Sequence, residues 1–279
     1  MAVIAVLFVL AAGLIAWATI RPLSTAPEPE TLPPRPPLVV VETLPQLTPQ
    51  LNRWGGTGQF TGGVLVARGD EVLFRQVHGF ANRNLGTPLA LDSRFRLASI
   101  SKQFTAAAIL RLQDEGVLST HDPLCKWIQP CPPAWEPIRL YHLLGHSSGV
   151  PDLMARPGWG VRRVTPATVE ELTAQSALYR LQFPPGTKVR YNNAGYNLLG
   201  AVVEKASGRP LHAYLQDTFF EPLGMADTGY DDGASDVVMG YANLAGGPTE
   251  QPDANVSIIF AAGALYSTLD DLLVWQRAL

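Results

Sequence analysis

Apolar and β-branched positions crowd around a single two-residue turn early in the chain. Gly63 to Arg68 (GVLVAR) and Glu71 to Val77 (EVLFRQV) flank Gly69-Asp70, a pattern that predicts a β-hairpin. The period then becomes helical. Ile100, Phe104, Ala107, Ala108, Arg111 and Leu112 follow the helical repeat, all but Arg111 apolar, and predict a helix from Ser99 to Glu115 stopped by Gly116. Further helices are predicted at Arg139 to Leu144, Thr168 to Leu178, Ala194 to Ala206, Leu211 to Phe220 and Thr268 to Leu279. Breakers such as PPG (Pro184 to Gly186) and EPLG (Glu221 to Gly224) separate them. Two strands alone are marginal, so the hairpin must belong to a larger sheet covered by helices, which predicts an α/β (α+β) fold.

The N-terminus has a different pattern. Ala2 to Ile20 carries no charge, and its 19 residues would span roughly 28 Å as a helix, close to a bilayer's hydrocarbon core. Residues 1–20 are expected to be a signal peptide or membrane anchor. Ala16-Trp17-Ala18 resembles a cleavage site, yet no Lys or Arg precedes the apolar run. Nine of the 24 prolines fall between Pro22 and Pro49, so residues 21–50 are expected to form an extended linker. Residues 51–279 are then the globular domain, on the outer side of a membrane.

Composition narrows the function. With 47% hydrophobic and 16% charged residues, the chain can bury a sizeable core. Net charge is −3 and like charges do not cluster, so the footprint of a nucleic-acid binder is missing. The two cysteines, Cys125 and Cys131, lack zinc-site spacing and would close a small loop in an oxidising compartment.

The strongest chemical signal is Ser99-Ile100-Ser101-Lys102, an S-x-x-K motif. Three residues apart on a helix, a hydroxyl and an amine share one face, and a lysine with a lowered proton affinity can deprotonate a serine. The N–H of Ser99 at the helix head can help bind an oxyanion. Tyr191-Asn192-Asn193 forms a Y-x-N triplet after a Pro-Gly turn at the entry to a helix. A phenol and an amine brought together can share one proton-transfer task, and Asn193 can orient Lys102 and donate to a substrate.

Two competing motifs carry less. Gly145 to Gly149 (GHSSG) fits G-x-S-x-G, but Val150-Pro151 follows where a nucleophile elbow needs a helix, so a helix-ending turn is expected. His142 and His146 lie four apart, but Gly145 interrupts the helix and no metalloprotease glutamate lies between them. His78, His121 and His212 have no partner pattern.

Five stretches, in order, carry a family resemblance: FRLASISKQFTAAAILRLQDEG, HLLGHSSGVPD, PPGTKVRYNNAGYNLLG, EPLGMADTGY and AAGALYSTLDDLLVW. They resemble the serine β-lactamase and penicillin-binding-protein-like hydrolases, in the branch related to class C β-lactamases. The resemblance implies an antiparallel sheet flanked by helices with a large α-rich insertion. It also implies an acyl-enzyme on Ser99, a general-base pair in Lys102 and Tyr191, substrate contact by Asn193, and no cofactor. Substrates would be β-lactams, D-alanyl or peptidoglycan-like peptides, or small esters. No S-D-N or E-x-x-L-N stretch occurs, so the class A pattern does not fit. The family's third motif, K-T-G or H-x-G, lies on a strand beyond the matched region, so the C-terminal strands are expected to be missing and the chain to be a fragment of a longer hydrolase or a truncated gene product. A catalytically incomplete envelope binding protein on the same scaffold is the alternative function class.

Overall fold

The computed structural model describes residues 39–40, 44–233, 236–244, 247–250 and 255–279. The apolar run 1–20 and the proline-rich stretch up to residue 38 lie outside them. Among the described residues no helix is long and apolar enough to cross a membrane.

The predicted hairpin is present. With β1 at Val39–Val40, β2 covers Gly62–Arg68 and β3 covers Glu71–His78, paired antiparallel from Gly62↔His78 to Arg68↔Glu71. Gly69 takes φ 57°, the left-handed turn geometry that the Gly-Asp pair predicts. Strand β1 joins the other edge of β3 in parallel, Val39 opposite Glu71. Helix α1, Leu47–Gly56, begins before the expected domain start. The linker 21–50 is therefore corrected at its C-terminal end. Val39–Val40 satisfies backbone groups of β3, and α1 buries Leu51.

Helix α2 runs Ser101–Asp114 and is preceded by a 3₁₀ turn, Ala98–Ile100. The expected α-helix from Ser99 thus begins two residues later, because Ala98 takes φ 46°. Helices α3 (Leu140–Leu144), α4 (Val169–Ala177) and α5 (Asn193–Ser207) lie within a residue of expectation. Thr168 and Glu171 form a capping box on α4. Gly208, φ 71°, ends α5.

The expected helix Leu211 to Phe220 divides. Helix α6 spans Leu211–Leu215, and a wider π turn, Gln216–Phe220, follows and buries Phe220. After α7 (Phe260–Gly263) and a short strand, α8 covers Leu269–Ala278 with Thr268 as N-cap.

A second sheet is antiparallel and short: β4 (Phe95–Arg96) and β5 (Gly229–Tyr230) flank β6 (Leu265–Ser267). Helix α8 covers the hairpin. A Cβ on Gly63 would lie 2.7 Å from Leu269 Cδ1, and Arg75 meets Asp270 at 2.5 Å.

The core lies between α2, α5, α7 and α8. Phe104 is fully buried, stacked on Trp275 with centroids 4.2 Å apart and edge-on to Phe220. Helix α5 is buried continuously from Ala194 to Val203. Its Gly200 admits α7 so closely that a Cβ there would fall 2.4 Å from Ala261 Cβ. That contact fixes α7 beside the head of α2.

Candidate active site

Three segments converge where α2 begins. The first is the 3₁₀ turn bearing Ser99, held by β6: Leu97 N–H donates to Leu265 O at 2.8 Å, and Leu265 N–H donates to Ser101 Oγ at 3.1 Å. This seats Ser99, an exposed residue, at the head of the helix.

Lys102 occupies the first turn of α2 and is only 6% exposed. Its ammonium reaches Ser99 Oγ at 3.2 Å, Asn193 Oδ1 at 2.9 Å and the Ala262 carbonyl on α7 at 2.7 Å. Thr105 Oγ1, one turn on, donates to Ala261 O at 2.8 Å, and Ala262 N–H donates to Asn197 Oδ1 on α5. Burial pushes the Lys102 amine below the ordinary lysine range. The hydrogen bond and charge of Tyr191, then the charge of Asp152, oppose that shift.

The third segment is the loop into α5. Tyr191 Oη donates to Ser99 Oγ at 2.6 Å, across 92 residues of sequence, and Lys102 Nζ lies 5.0 Å from the Tyr191 ring centroid. Asn192 is the N-cap of α5. Its Oδ1 accepts from Gly195 N–H at 2.7 Å, and its Nδ2 donates to Val150 O. Asn193, the next residue, presents its amide oxygen to Lys102 and donates through Nδ2 to Asp152 Oδ2 at 2.8 Å.

All four residues singled out in the sequence, Ser99, Lys102, Tyr191 and Asn193, are therefore in one hydrogen-bonded group. Sequence reasoning assigned no role to Asp152, to the Ala262 carbonyl or to the His146 ring. All three lie within stretches that carry the family resemblance, HLLGHSSGVPD and AAGALYSTLDDLLVW.

The GHSSG segment follows helix α3, not a strand, and it braces the tyrosine loop through its backbone. His146 O accepts from Arg190 N–H at 2.9 Å, Ser147 O from Gly186 N–H at 2.8 Å, and Gly149 O from Gln182 N–H at 2.8 Å. The His146 ring lies 4.6 Å from the Tyr191 ring, and its Nδ1 accepts from Asn192 N–H at 3.1 Å. Burial and the Lys102 charge hold His146 below the usual imidazole range. His142 Nδ1 likewise accepts from a backbone N–H, that of Arg139 at 3.0 Å.

A hydroxyl, a buried amine, a phenol and an amide meet here, and the match to known families falls on the same segments. The family model described as Beta-lactamase matches residues 48–279. The chain belongs to the β-lactamase family. Members of this family are serine hydrolases. Penicillin-binding protein 4* of Bacillus subtilis (strain 168) is 33% identical over 177 residues, covering 62% of this chain and 39% of that protein. Esterase EstB of Burkholderia gladioli is 34% identical over 181 residues, covering 60% of this chain and 46% of that protein. Among solved structures, the penicillin-binding protein from Bacillus halodurans superposes with a TM-score of 0.71 at 30% identity, covering 82% of this chain and 71% of that one. The match spans less than half the length of each of these two curated relatives. The β-lactamase/transpeptidase-like fold expected from the sequence is the fold found.

Proposed function

We propose that this chain carries the nucleophile and the proton-transfer group of an acyl-transferring serine hydrolase, with Ser99 acylated by an amide or ester. The observation that carries this reading is the Ser99 oxygen held at once by a phenol at 2.6 Å and a buried amine at 3.2 Å. On an exposed serine, a phenol and an amine of lowered proton affinity are groups that can take its proton and pass it on.

Attack by Ser99 Oγ on the carbonyl carbon moves the hydroxyl proton into the Tyr191–Lys102 pair and places negative charge on the carbonyl oxygen. The Ser99 N–H, at the head of the helix, is suited to receive that oxygen. Collapse breaks the bond to the leaving amine or alcohol, which takes the proton, and Ser99 is left as an ester. Water then attacks the ester, giving a proton to the same pair, which returns one to Ser99 Oγ as the acid leaves. Asn193 orients Lys102 through its oxygen and keeps one N–H for the substrate.

For substrate class we propose a β-lactam, a D-alanyl peptide of the peptidoglycan type, or a small ester. The names of the two curated relatives, a penicillin-binding protein and an esterase, support the β-lactam and the ester. We also propose that the domain works outside the cytoplasm. The uncharged run Ala2 to Ile20 and the disulfide between Cys125 and Cys131 support that placement.

The test is covalent labelling with a fluorophosphonate and with a fluorescent penicillin, followed by peptide mass mapping. An adduct on Ser99 is expected, and an adduct on another residue or none at all overturns the reading. Labelling without turnover would identify the binding-protein alternative.

The pH dependence follows from Lys102. Only the free amine accepts a proton, and burial lowers its affinity for one, so the labelling rate rises with pH through a titration below the ordinary lysine range. In Lys102→Met the rate falls by about 10²- to 10⁴-fold and that rise disappears. Labelling kinetics across pH, compared between the two proteins, check both.

A further inference from the structure

The Asn193 amide has two ends, and its neighbours decide which one meets Lys102. Asp152 Oδ2 accepts from Asn193 Nδ2 at 2.8 Å, while Asn193 Oδ1 accepts from Lys102 Nζ at 2.9 Å. A carboxylate only accepts, so the amide NH₂ must face Asp152 and its oxygen must face the amine. The other carboxylate oxygen, Oδ1, accepts from Met154 N–H at 3.1 Å and caps the 3₁₀ turn Leu153–Ala155. Asp152 follows directly on Val150-Pro151, and Val150 O takes the Asn192 amide. The carboxylate is thus braced by the same turn that braces Tyr191.

We propose that Asp152 is a positioning residue of this site, its carboxylate holding the Asn193 amide with the oxygen toward Lys102 and one N–H left for the substrate. Two consequences follow. With the amide unconstrained, its NH₂ can turn toward the Lys102 amine, where two donors meet and the lysine drifts from Ser99. The Asp152 charge also favours the ammonium form of Lys102 and so opposes the effect of burial.

The groups facing the lysine are Ser99, Tyr191 and Asn193, the Ala262 carbonyl from α7, and the Tyr196 ring at 5.6 Å from α5. His146, beyond Tyr191, is coupled to it by charge. Asp152 is the carboxylate in this group.

Asp152→Asn separates positioning from folding, because asparagine caps a helical turn as well as aspartate and keeps the bond to Met154 N–H. The expected result, read on the high-pH plateau where Lys102 is already a free amine, is a fall in the Ser99 acylation rate of on the order of 10- to 100-fold, with the thermal midpoint unchanged. Asp152→Glu, which keeps the charge, should recover part of that rate.

The second measurement is the titration of Lys102 itself, followed by ¹³Cε-lysine NMR. Lysine occurs only at Lys102, Lys126, Lys188 and Lys205, so the signal is assignable by comparison with Lys102→Met. With the negative charge gone, Lys102 is expected to lose its proton at lower pH in Asp152→Asn than in the parent. The rate arm rests on the hydrolase reading and the titration arm does not. A shifted titration in a protein that hydrolyses and labels nothing sinks the hydrolase reading and leaves the Asp152 contact standing. An unshifted titration with an unchanged rate overturns the proposal. So does a rate loss that Asp152→Glu fails to recover while the titration stays in place.

Discussion

Ser99→Ala is expected to lose hydrolysis of ester and lactam substrates by at least about 10⁴-fold while its stability changes by no more than about 1 kcal/mol. The two halves have separate causes. Removal of Oγ takes away the atom that attacks, and neither the phenol nor the amine beside it can stand in as the nucleophile on the same carbonyl. The fold, by contrast, scarcely depends on the hydroxyl. Ser99 is exposed, Lys102 keeps Asn193 Oδ1 and the Ala262 carbonyl as acceptors, and the Tyr191 hydroxyl belongs to a side chain 52% exposed that water can satisfy. Progress curves and thermal melts on the purified variant check both. Hydrolysis above about 1% of the parent rate, a loss far short of that for a deleted nucleophile, would place the nucleophile elsewhere. The GHSSG serines offer little refuge: Ser147, the serine of the G-x-S-x-G pattern, turns its hydroxyl back to the His142 carbonyl at 3.4 Å, and Ser148 is 2% exposed and accepts from Val150 N–H.

Some of this architecture is readable from residue order, and some arises only through contact. The β2–β3 hairpin was legible because its apolar strands run seven and eight residues on either side of a Gly-Asp turn. Helices α4, α5 and α8 were legible because Thr168, Asn192 and Thr268 cap them with side-chain oxygens. The second sheet was not, because strands of two or three residues hold too few positions to display a period. Strand β1 sits inside proline-rich sequence and exists through its pairing with β3. The split after Leu215 was hidden because Leu211, Tyr214 and Leu215 read as one helical face and neither Gly nor Pro interrupts the chain before Pro222, although Phe220 falls on the opposite side of an unbroken α-helix.

The site divides in the same way. Ser99 and Lys102 are one helical turn apart and announce themselves. Tyr191 and Asn193 stood out through their turn and through resemblance, since nothing local reveals a partner 92 residues away. The Ala262 carbonyl carries no signature at all, because a backbone acceptor is the same at every residue. Asp152 was in plain view, but its role depends on which amide it meets.

Gly149→Ala tests whether the GHSSG turn supports the site, and it should destabilise the protein by about 2–4 kcal/mol. Gly149 takes φ 78°, which costs any residue with a Cβ, and that Cβ would lie 2.1 Å from the Phe183 carbonyl oxygen. Backbone cannot yield as a flexible side chain can, so the 182–190 loop must move. That loop hangs on Gly149 O through Gln182 N–H, and it leads directly into Tyr191. Gly208→Ala supplies the control. Gly208 has a similar φ, 71°, and nothing within 4 Å of its added Cβ, so it carries the backbone strain without the collision. It should cost about 1 kcal/mol and leave Ser99 labelling at the parent rate. Gly149→Ala should lower the thermal midpoint by about 5–10 °C and, below its melting range, slow labelling, because the phenol no longer sits within reach of the serine. Equal melts and equal labelling rates for the two variants would mean that the Phe183 contact relaxes freely and that the tyrosine loop is held by other bonds.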